Sequence, residues 1–387
     1  MLKHYIKWQV KQWWPLLLIF GTIMTLSFVS TVLNSGVGYE FNEYTVYYPL
    51  NNSVSGYLLS IFLPAFVMTL VMPIFVYSYR VRKQSADVFY QAPYKKGEIK
   101  RVRILIGLAI CLVATTVAFW TGAFIHGIRH ATAPMTVERQ YWGIVEKAPL
   151  YWGYYFYGYL AIMLFVAAHY FINCFLAGLG DYRLDQVFLL LFGNIAFSLF
   201  FTAPMLYGLN LVSLCSGEIS SWAFASLLYG FGPVGGIGFA VSVVENLLLG
   251  GVENTAIVVT SYISFANVIL FAGFLGFMEM RNGDPSAEHA DTRGPRNNLV
   301  ALIPHGAAAT IGILIAMLPT TGLFGFGFIG YFMFLMFGAI YYVFLSLWRH
   351  NFRMAQLDRR VFILVNTMTF FLMLVTTIVD AIVMSMA

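Results

Sequence analysis

Charged residues are scarce in this 387-residue chain: they make up 10% of the sequence, against 60% for apolar residues. An ordinary soluble domain carries about 25% charged residues, so this chain lacks the polar side chains that a water-facing surface requires. A soluble globular enzyme is therefore excluded. Intrinsic disorder is excluded as well, because disordered chains are poor in apolar residues.

Cysteine and the common catalytic motifs are also missing or rare. The three cysteines are an odd number, and two of them, Cys111 and Cys174, lie in apolar runs, so no disulfide framework is expected. The sequence lacks G-x-x-x-x-G-K-[ST], H-E-x-x-H, C-x-x-C and G-x-S-x-G. We therefore expect no catalytic residue, metal site, cofactor or ATP site in this chain. The net charge of +5 is not gathered in a block, so nucleic acid is not an expected partner.

Long apolar runs dominate the sequence instead. Each is long enough for a helix to cross about 30 Å of hydrocarbon, and the runs are continuous rather than alternating, which favours helices over strands. The sequence thus predicts an all-α integral membrane protein, a polytopic helical bundle in the lipid bilayer. The nine runs are 14–33, 57–79, 104–125, 155–176, 187–209, 255–277, 299–318, 324–347 and 361–384.

The basic residues indicate the orientation, because cytoplasmic loops are enriched in Lys and Arg. With the N-terminus in the cytoplasm, 19 of the 22 Lys and Arg residues lie on the inner side. A tenth apolar run, 222–244, would move seven arginines outside if it crossed. It contains Pro233 among several glycines, which break helices, so we expect a pair of short re-entrant helices on the outer side. An ordinary crossing with a kink is the alternative.

The first twelve residues mix apolar side chains with three lysines. This composition suits a short helix that lies in the inner membrane interface, and we assign residues 1–12 to such a helix. A plain positive flank of the first span is the alternative.

The inner loop between the second and third runs is the most informative segment. Ser85 can cap a short helix, and Pro93 would end it. Val88, Phe89 and Ala92 then share one side of that helix, and basic residues flank it. From the residues alone, an amphipathic stretch that rests on anionic lipid explains this pattern too.

The same loop resembles the membrane subunits of ABC-2-type transporters. Their loop carries an Asp, an aromatic residue, a small or aliphatic residue, Pro, basic residues and an acidic-aliphatic pair. Ala92 and Tyr94 depart from the commoner Leu and Ile or Leu. The matching residues here are Asp87, Phe89, Ala92, Pro93, Lys95, Lys96, Glu98 and Ile99.

The resemblance implies a domain layout. Residues 13–280 would form a six-span ABC-2 exporter core with outer re-entrant helices and a coupling segment at 84–99. A cytoplasmic linker would follow at 281–298, where Arg281 and Glu288 match the family's basic and acidic residues. Residues 299–387 would add about three C-terminal spans, for which we have no functional interpretation.

The resemblance also implies the function. The chain would be a permease of an ATP-driven exporter in a bacterial cytoplasmic membrane, and it would move a peptide, drug or lipid. A separate ATPase subunit would bind ATP and Mg²⁺, and a second permease would complete a homo- or heterodimer. The coupling segment would dock into the ATPase through Asp87, Val88, Phe89, Tyr90, Ala92, Pro93, Lys95, Lys96 and Glu98, with the two aromatic residues as buried anchors.

Polar residues inside apolar runs are further candidates for function. His169 and Asn173 could line a substrate path, or they could form hydrogen bonds to a neighbouring helix. His305 falls near the inner end of its run, where we expect it to contact water.

Three other functions remain open. A membrane enzyme that acts on a lipid carrier would need clustered carboxylates or a His–Asp pair at one membrane face. The only candidates are Asp181 and Asp185, for which a local ion pair with Arg183 is the simpler explanation. An ion-driven secondary transporter would need charges at mid-membrane and two similar halves. A sensor or immunity protein would bind a peptide without moving it.

Overall fold

A computed structural model describes residues 2–34, 39–40, 48–80, 97–139, 143–147, 152–180, 182–199, 207, 269–281, 298–316, 327–349 and 351–386. Helices dominate these residues. The helices are α1 (Leu2–Asn34), α2 (Tyr48–Val76), α3 (Glu98–Thr132), α4 (Trp152–Gly178), α5 (Arg183–Leu199), α6 (Asn298–Ala316), α7 (Gly327–Arg349) and α8 (Gln356–Met386), with a 3₁₀ helix at Ser78–Arg80 and a helical segment at 269–281.

Five of the described helices contain a stretch long and apolar enough to cross a membrane, which identifies the chain as a helical membrane protein. Two shorter apolar helices are Ser60–Val76 and Leu302–Ala316. The five stretches are Lys3–Asn34, Glu98–Thr132, Tyr155–Gly178, Tyr331–Arg349 and Gln356–Val379.

The predicted apolar runs agree with these helices where the structure describes them. Runs 14–33, 104–125, 155–176 and 361–384 lie wholly within helices, run 57–79 is helical to Val76 and ends in the 3₁₀ helix, and the other four are described in part. The helical membrane class is therefore confirmed. Run 222–244, with its proposed re-entrant helices, lies outside the described residues.

Helix α1 begins at Leu2 and continues to Asn34 through Pro15. The first twelve residues are therefore helical and continuous with the first apolar run. Membrane helices tolerate an internal proline because other groups satisfy the backbone carbonyl that it frees. The placement of residues 1–12 along the membrane interface stays a prediction.

A small antiparallel sheet of three strands joins two connecting segments, and nothing in the sequence predicted it. Strand β1 (Tyr39–Glu40) and strand β2 (Thr136–Arg139) pair with opposite edges of β3 (Gly143–Lys147), so the strand order is β1-β3-β2. Tyr39 lies opposite Lys147, and Thr136 lies opposite Glu146. The sheet thus links the chain after α1 to the connection between α3 and α4.

The described residues fall into two compact units. The first comprises those within Met1–Val76, Pro93–Cys174 and Gly236–Gly283. Its helices α1 and α3 pack closely: the Phe28 and Phe119 rings lie 5.7 Å apart. Gly122 makes this approach possible, because a Cβ atom there would overlap the Phe28 ring. Small residues at such contacts are typical of membrane helices.

The second unit comprises the described residues within Tyr77–Ala92, Phe175–Gly235 and Asp284–Ala387. Phe188 of α5 packs against Leu345 and Trp348 of α7 in one buried cluster. Tyr207 donates a hydrogen bond to the Leu372 carbonyl of α8 (2.8 Å). The fifth apolar run and the predicted C-terminal extension therefore share one core. The predicted domain boundaries at 12, 280 and 298 stay predictions.

Candidate functional site

The coupling residues predicted from the sequence fall almost entirely outside the described residues. The exception is Glu98, which is the first residue of α3, where a carboxylate interacts favourably with the helix dipole. Gly97 precedes it with φ +89°, a conformation that glycine adopts without strain. Those outside are Asp87, Val88, Phe89, Tyr90, Ala92, Pro93, Lys95 and Lys96.

One side of the first turns of α3 is buried, and it carries both apolar and basic side chains. Ile99, Lys100, Arg103 and Ile104 are all buried, and their spacing of three to four residues places them on one side of a helix. Two basic side chains thus lie among apolar neighbours, where an unpaired charge would be strongly unfavourable. Each of them has polar partners from other helices.

Arg103 binds the C-terminal end of α2. Its Nε donates to the Val76 carbonyl (2.7 Å) and its Nη2 to the Phe75 carbonyl (2.7 Å). The last carbonyls of a helix have no partner within the helix, so the guanidinium satisfies groups that would otherwise stay unpaired. Its planar fork suits two adjacent acceptors, and its positive charge complements the helix dipole.

The same guanidinium binds α1. Arg103 Nη1 donates to Gln9 Oε1 (3.0 Å), and the guanidinium carbon lies 4.8 Å from the centre of the Trp13 ring. Tyr5 also donates to Gln9 Oε1 (3.2 Å), which helps to hold the buried amide. One side chain of α3 therefore joins three helices.

Lys100 forms a buried ion pair with the helical segment 269–281. Its Nζ lies 2.7 Å from Glu279 Oε1, and the two side chains are only 2% and 4% exposed. At the next residue, Arg101 Nε donates to the Met280 carbonyl (3.0 Å) at an exposed position. The start of α3 is thus bound to residues that precede the predicted cytoplasmic linker.

We call Gln9, Lys100, Arg103 and Glu279 the anchor cluster. Residues 81–96 follow α2 after the 3₁₀ helix and precede α3 in the chain. The anchor cluster binds the last carbonyls of α2 and the first turns of α3 to α1 and to the segment 269–281. A force on the start of α3 would therefore reach all four helical elements.

In the sequence, Lys100 and Arg103 look like any other positive charges on the inner side. The structure shows that both side chains are buried and structural. Their spacing with Ile99 and Ile104 is the signal that could have indicated an inward face. Their partners could not have been named, because Gln9 lies 94 residues from Arg103 in the chain.

His169 and Asn173 lie together within the first unit, on α4. His169 Nδ1 lies 2.6 Å from Thr69 Oγ1 of α2, and Asn173 Nδ2 donates to the Thr69 carbonyl (3.2 Å). The rings of Phe66 and Phe165 stack on the imidazole. This is the interhelical hydrogen bonding that the sequence analysis gave as the alternative. A role for these residues in a substrate path stays a prediction.

The expectation that His305 contacts water was wrong: the side chain is buried in the second unit. Its Nδ1 forms a hydrogen bond with the Tyr341 hydroxyl, and its Nε2 lies 3.2 Å from Asp358 Oδ1. Arg349 Nη2 donates to the same carboxylate oxygen (2.6 Å). We call these four residues the His305 cluster. It joins α6, α7 and α8, and its partners lie 36 and 53 residues away in the chain.

Replacing His305 with phenylalanine is expected to destabilise the protein by about 2 kcal/mol. The new ring keeps the size of the side chain, but it leaves the Tyr341 hydroxyl and the buried Asp358 carboxylate with fewer partners. Thermal unfolding in detergent measures the effect, with His4→Phe at an exposed position as the control. Equal midpoints for the two variants would show that the cluster contributes nothing to stability.

The carboxylate pair considered in the sequence analysis is described in part: Asp185 is buried in the first turn of α5, and Asp181 lies outside the described residues. Among the side chains that the structure describes, no group of three or more His, Cys, Asp or Glu residues could hold a metal ion. Comparison with protein families, with curated proteins and with solved structures finds no match.

Proposed function

We propose that this chain is the permease subunit of an ATP-driven exporter of the ABC-2 type, which moves an amphipathic or lipid-like substrate across a cell membrane. A separate ATPase subunit supplies the energy, and a second permease, identical or related, completes the substrate path. The N-terminus lies in the cytoplasm, as the distribution of Lys and Arg favours.

The observation that carries this proposal is the anchor cluster. In the proposed mechanism, the ATPase pushes on residues 84–99, and the spans must respond. Arg103 binds the end of α2 and Gln9 of α1, while Lys100 binds Glu279. Packed helices joined by such buried contacts move together rather than bend at the point of loading. The helices around the loop therefore suit the transmission of a push.

ATP drives such a permease only if it favours one arrangement of the subunits over another. ATP binding would bring the two ATPase subunits together, and the coupling segments would move the spans between two arrangements. The chain is 18% aromatic and 10% charged, which suits an apolar or amphipathic cargo better than a bare ion or a sugar.

The His305–Asp358 pair bears on the alternative of a membrane enzyme, which would need such a pair at one membrane face. Both side chains are buried, and so is Tyr341 beside them. A general base must come within hydrogen-bond reach of its substrate, and burial prevents that in this arrangement. The geometry therefore favours a structural role for this pair.

Purification of the tagged full-length chain in mild detergent, from cells that encode it, tests the proposal. We expect an ATPase with a phosphate-binding loop to co-purify with it. If the chain is isolated without any ATPase, or if proteoliposomes that contain it alone translocate a fluorescent phospholipid, the proposal fails.

Phe89→Ala tests the coupling segment directly. Truncation of a buried aromatic anchor costs about 2 kcal/mol of binding energy, so the ATPase should bind about 30-fold more weakly. Membrane insertion and expression should stay normal. The control is Phe277→Ala, which removes an exposed ring from the segment 269–281. Titration of the purified ATPase onto each variant measures the difference, and wild-type affinity for Phe89→Ala would refute the assignment.

A further inference from the structure

The structure describes residues 351–355 of the connection between α7 and α8. The candidate membrane spans Tyr331–Arg349 and Gln356–Val379 end and begin on either side of it. A connection this short keeps both helix ends at the same face of the bilayer. Its side chains therefore lie at the depth of the lipid headgroups.

Hydrogen bonds hold this turn in a defined shape. The Asn351 amide donates to the Ser346 carbonyl (3.1 Å), and the Arg353 amide donates to Asn351 Oδ1 (2.9 Å). The Tyr342 hydroxyl donates to the Phe352 carbonyl (2.8 Å). The backbone is thus fixed while the Phe352 side chain stays 75% exposed. An exposed aromatic ring at this depth inserts between headgroups and acyl chains.

The charges around the turn are unbalanced. Arg353, Arg359 and Arg360 are exposed, and within the described part of the chain no carboxylate pairs with any of them. Within residues 351–360, which the structure describes, the acid is Asp358, and it is buried and bound by Arg349 and His305. It therefore cannot neutralise the three exposed arginines.

Two of these arginines follow the first turn of α8, whose own carboxylate, Asp358, is bound by Arg349 and His305. Arg359 and Arg360 lie in the first turns of α8, which begins at Gln356. The N-terminus of a helix carries partial positive charge, so cations there repel it and anions bind it. Asp358 complements the partial positive charge of this helix end, so a phosphate group would be held by the charge of the exposed arginines themselves.

We propose that Phe352, Arg353, Arg359 and Arg360 form a binding site for the phosphate headgroup of an anionic phospholipid, at the turn between α7 and α8. The arginines bind the phosphate, and Phe352 inserts beside the acyl chains. This site gives the C-terminal helices a function that does not depend on the ATPase. The lipid site concerns membrane binding, whereas the proposed function concerns transport. Either proposal can therefore be refuted without the other.

Lipid titration of the full-length protein in nanodiscs tests the site. The probes are phosphatidylglycerol and phosphatidylcholine, and native mass spectrometry counts the lipids that the protein retains. Each arginine near an anionic surface contributes about 1 kcal/mol, which corresponds to about fivefold in affinity. We therefore expect R359Q/R360Q to bind phosphatidylglycerol about 25-fold more weakly than wild type.

The matched control removes two exposed arginines from other positions, as R183Q/R281Q. It should stay within about threefold of wild type, since these residues lie outside the site. Equal losses in the two double variants would mean that only total charge matters, which overturns the proposal. Equal retention of phosphatidylglycerol and phosphatidylcholine by wild type overturns it as well.

Two further arms keep the test decisive. Inorganic phosphate should not displace the retained lipid, because the site also binds the acyl chains through Phe352. Displacement would show a phosphate site and refute a lipid site.

If R359Q/R360Q does not fold, R353Q replaces it, because Arg353 lies in the turn outside both helices. R353Q should lose about fivefold, and an unchanged affinity would refute the site.

Discussion

Replacing Arg103 with alanine is expected to destabilise the protein by about 4 kcal/mol. The change removes the Arg103 donors from the carbonyls of Phe75 and Val76, and it removes one of the two donors to Gln9 Oε1, which keeps Tyr5. Each buried polar group that loses its partner costs about 1–3 kcal/mol. The lost contact with the Trp13 ring adds to this.

Arg101→Ala is the matched control, because Arg101 lies on the same turn of α3 and its hydrogen bond to Met280 is exposed. Exposed polar contacts of this kind contribute less than about 1 kcal/mol. Arg103→Lys should fall between the two variants, since an ammonium cannot satisfy two adjacent carbonyls with a planar fork. Urea or thermal unfolding in detergent separates the three. If Arg103→Ala unfolds together with Arg101→Ala, the anchor cluster does not support the fold.

Removing either partner of the Lys100–Glu279 pair is expected to cost about 3–5 kcal/mol. Both side chains are nearly inaccessible to water and their charged atoms lie 2.7 Å apart. A single replacement, Lys100→Ala or Glu279→Ala, leaves one charge buried without its main counter-charge, and such a charge is strongly destabilising.

The double replacement K100M/E279M distinguishes charge pairing from simple packing. Methionine has about the same volume as either side chain, and replacing both charges with apolar groups is often neutral for stability. The double variant should therefore unfold within about 1 kcal/mol of wild type. If it is as unstable as the single variants, packing rather than charge explains their loss, and the ion pair has no special role.

Arg103 and Lys100 also differ in the helices that they connect to α3. Arg103 holds α3 against α1 and α2, whereas Lys100 holds it against the segment 269–281. In the proposed mechanism, K100M/E279M would keep the fold and weaken one of these connections. ATP-dependent movement of a fluorescent phospholipid by this variant, compared with wild type, measures how much of the push depends on the ion pair.

Some of the candidate site was accessible from the sequence. The loop around Phe89 and Pro93 was singled out because its residue types follow one another in the chain. The helix that follows it was expected over 104–125 from a continuous apolar run, and in the structure it begins earlier, at Glu98. The burial of Lys100 and Arg103 on that helix was not expected, because both residues match the positive-inside pattern as well as any exposed residue does.

The His305 cluster is a second case in which local sequence predicted neither burial nor partners. His305, Tyr341 and Asp358 belong to three different helices, and no local pattern links them. Position within an apolar run suggested only a depth in the membrane, and the expected contact with water was wrong. The burial of His305 follows from how α6, α7 and α8 pack together.

The sequence by itself determined that this is a helical membrane protein and where the spans that the structure describes lie. The length of an apolar run is a local property, and a run that is long enough to cross the bilayer forms a spanning helix. Only the tertiary structure decided which polar side chains at the helix ends are buried and which partners they bind. Those partners come from distant parts of the chain. Because an unpaired buried charge is strongly unfavourable, each buried polar group binds the partner that helix packing brings next to it, and local sequence does not show which partner that is.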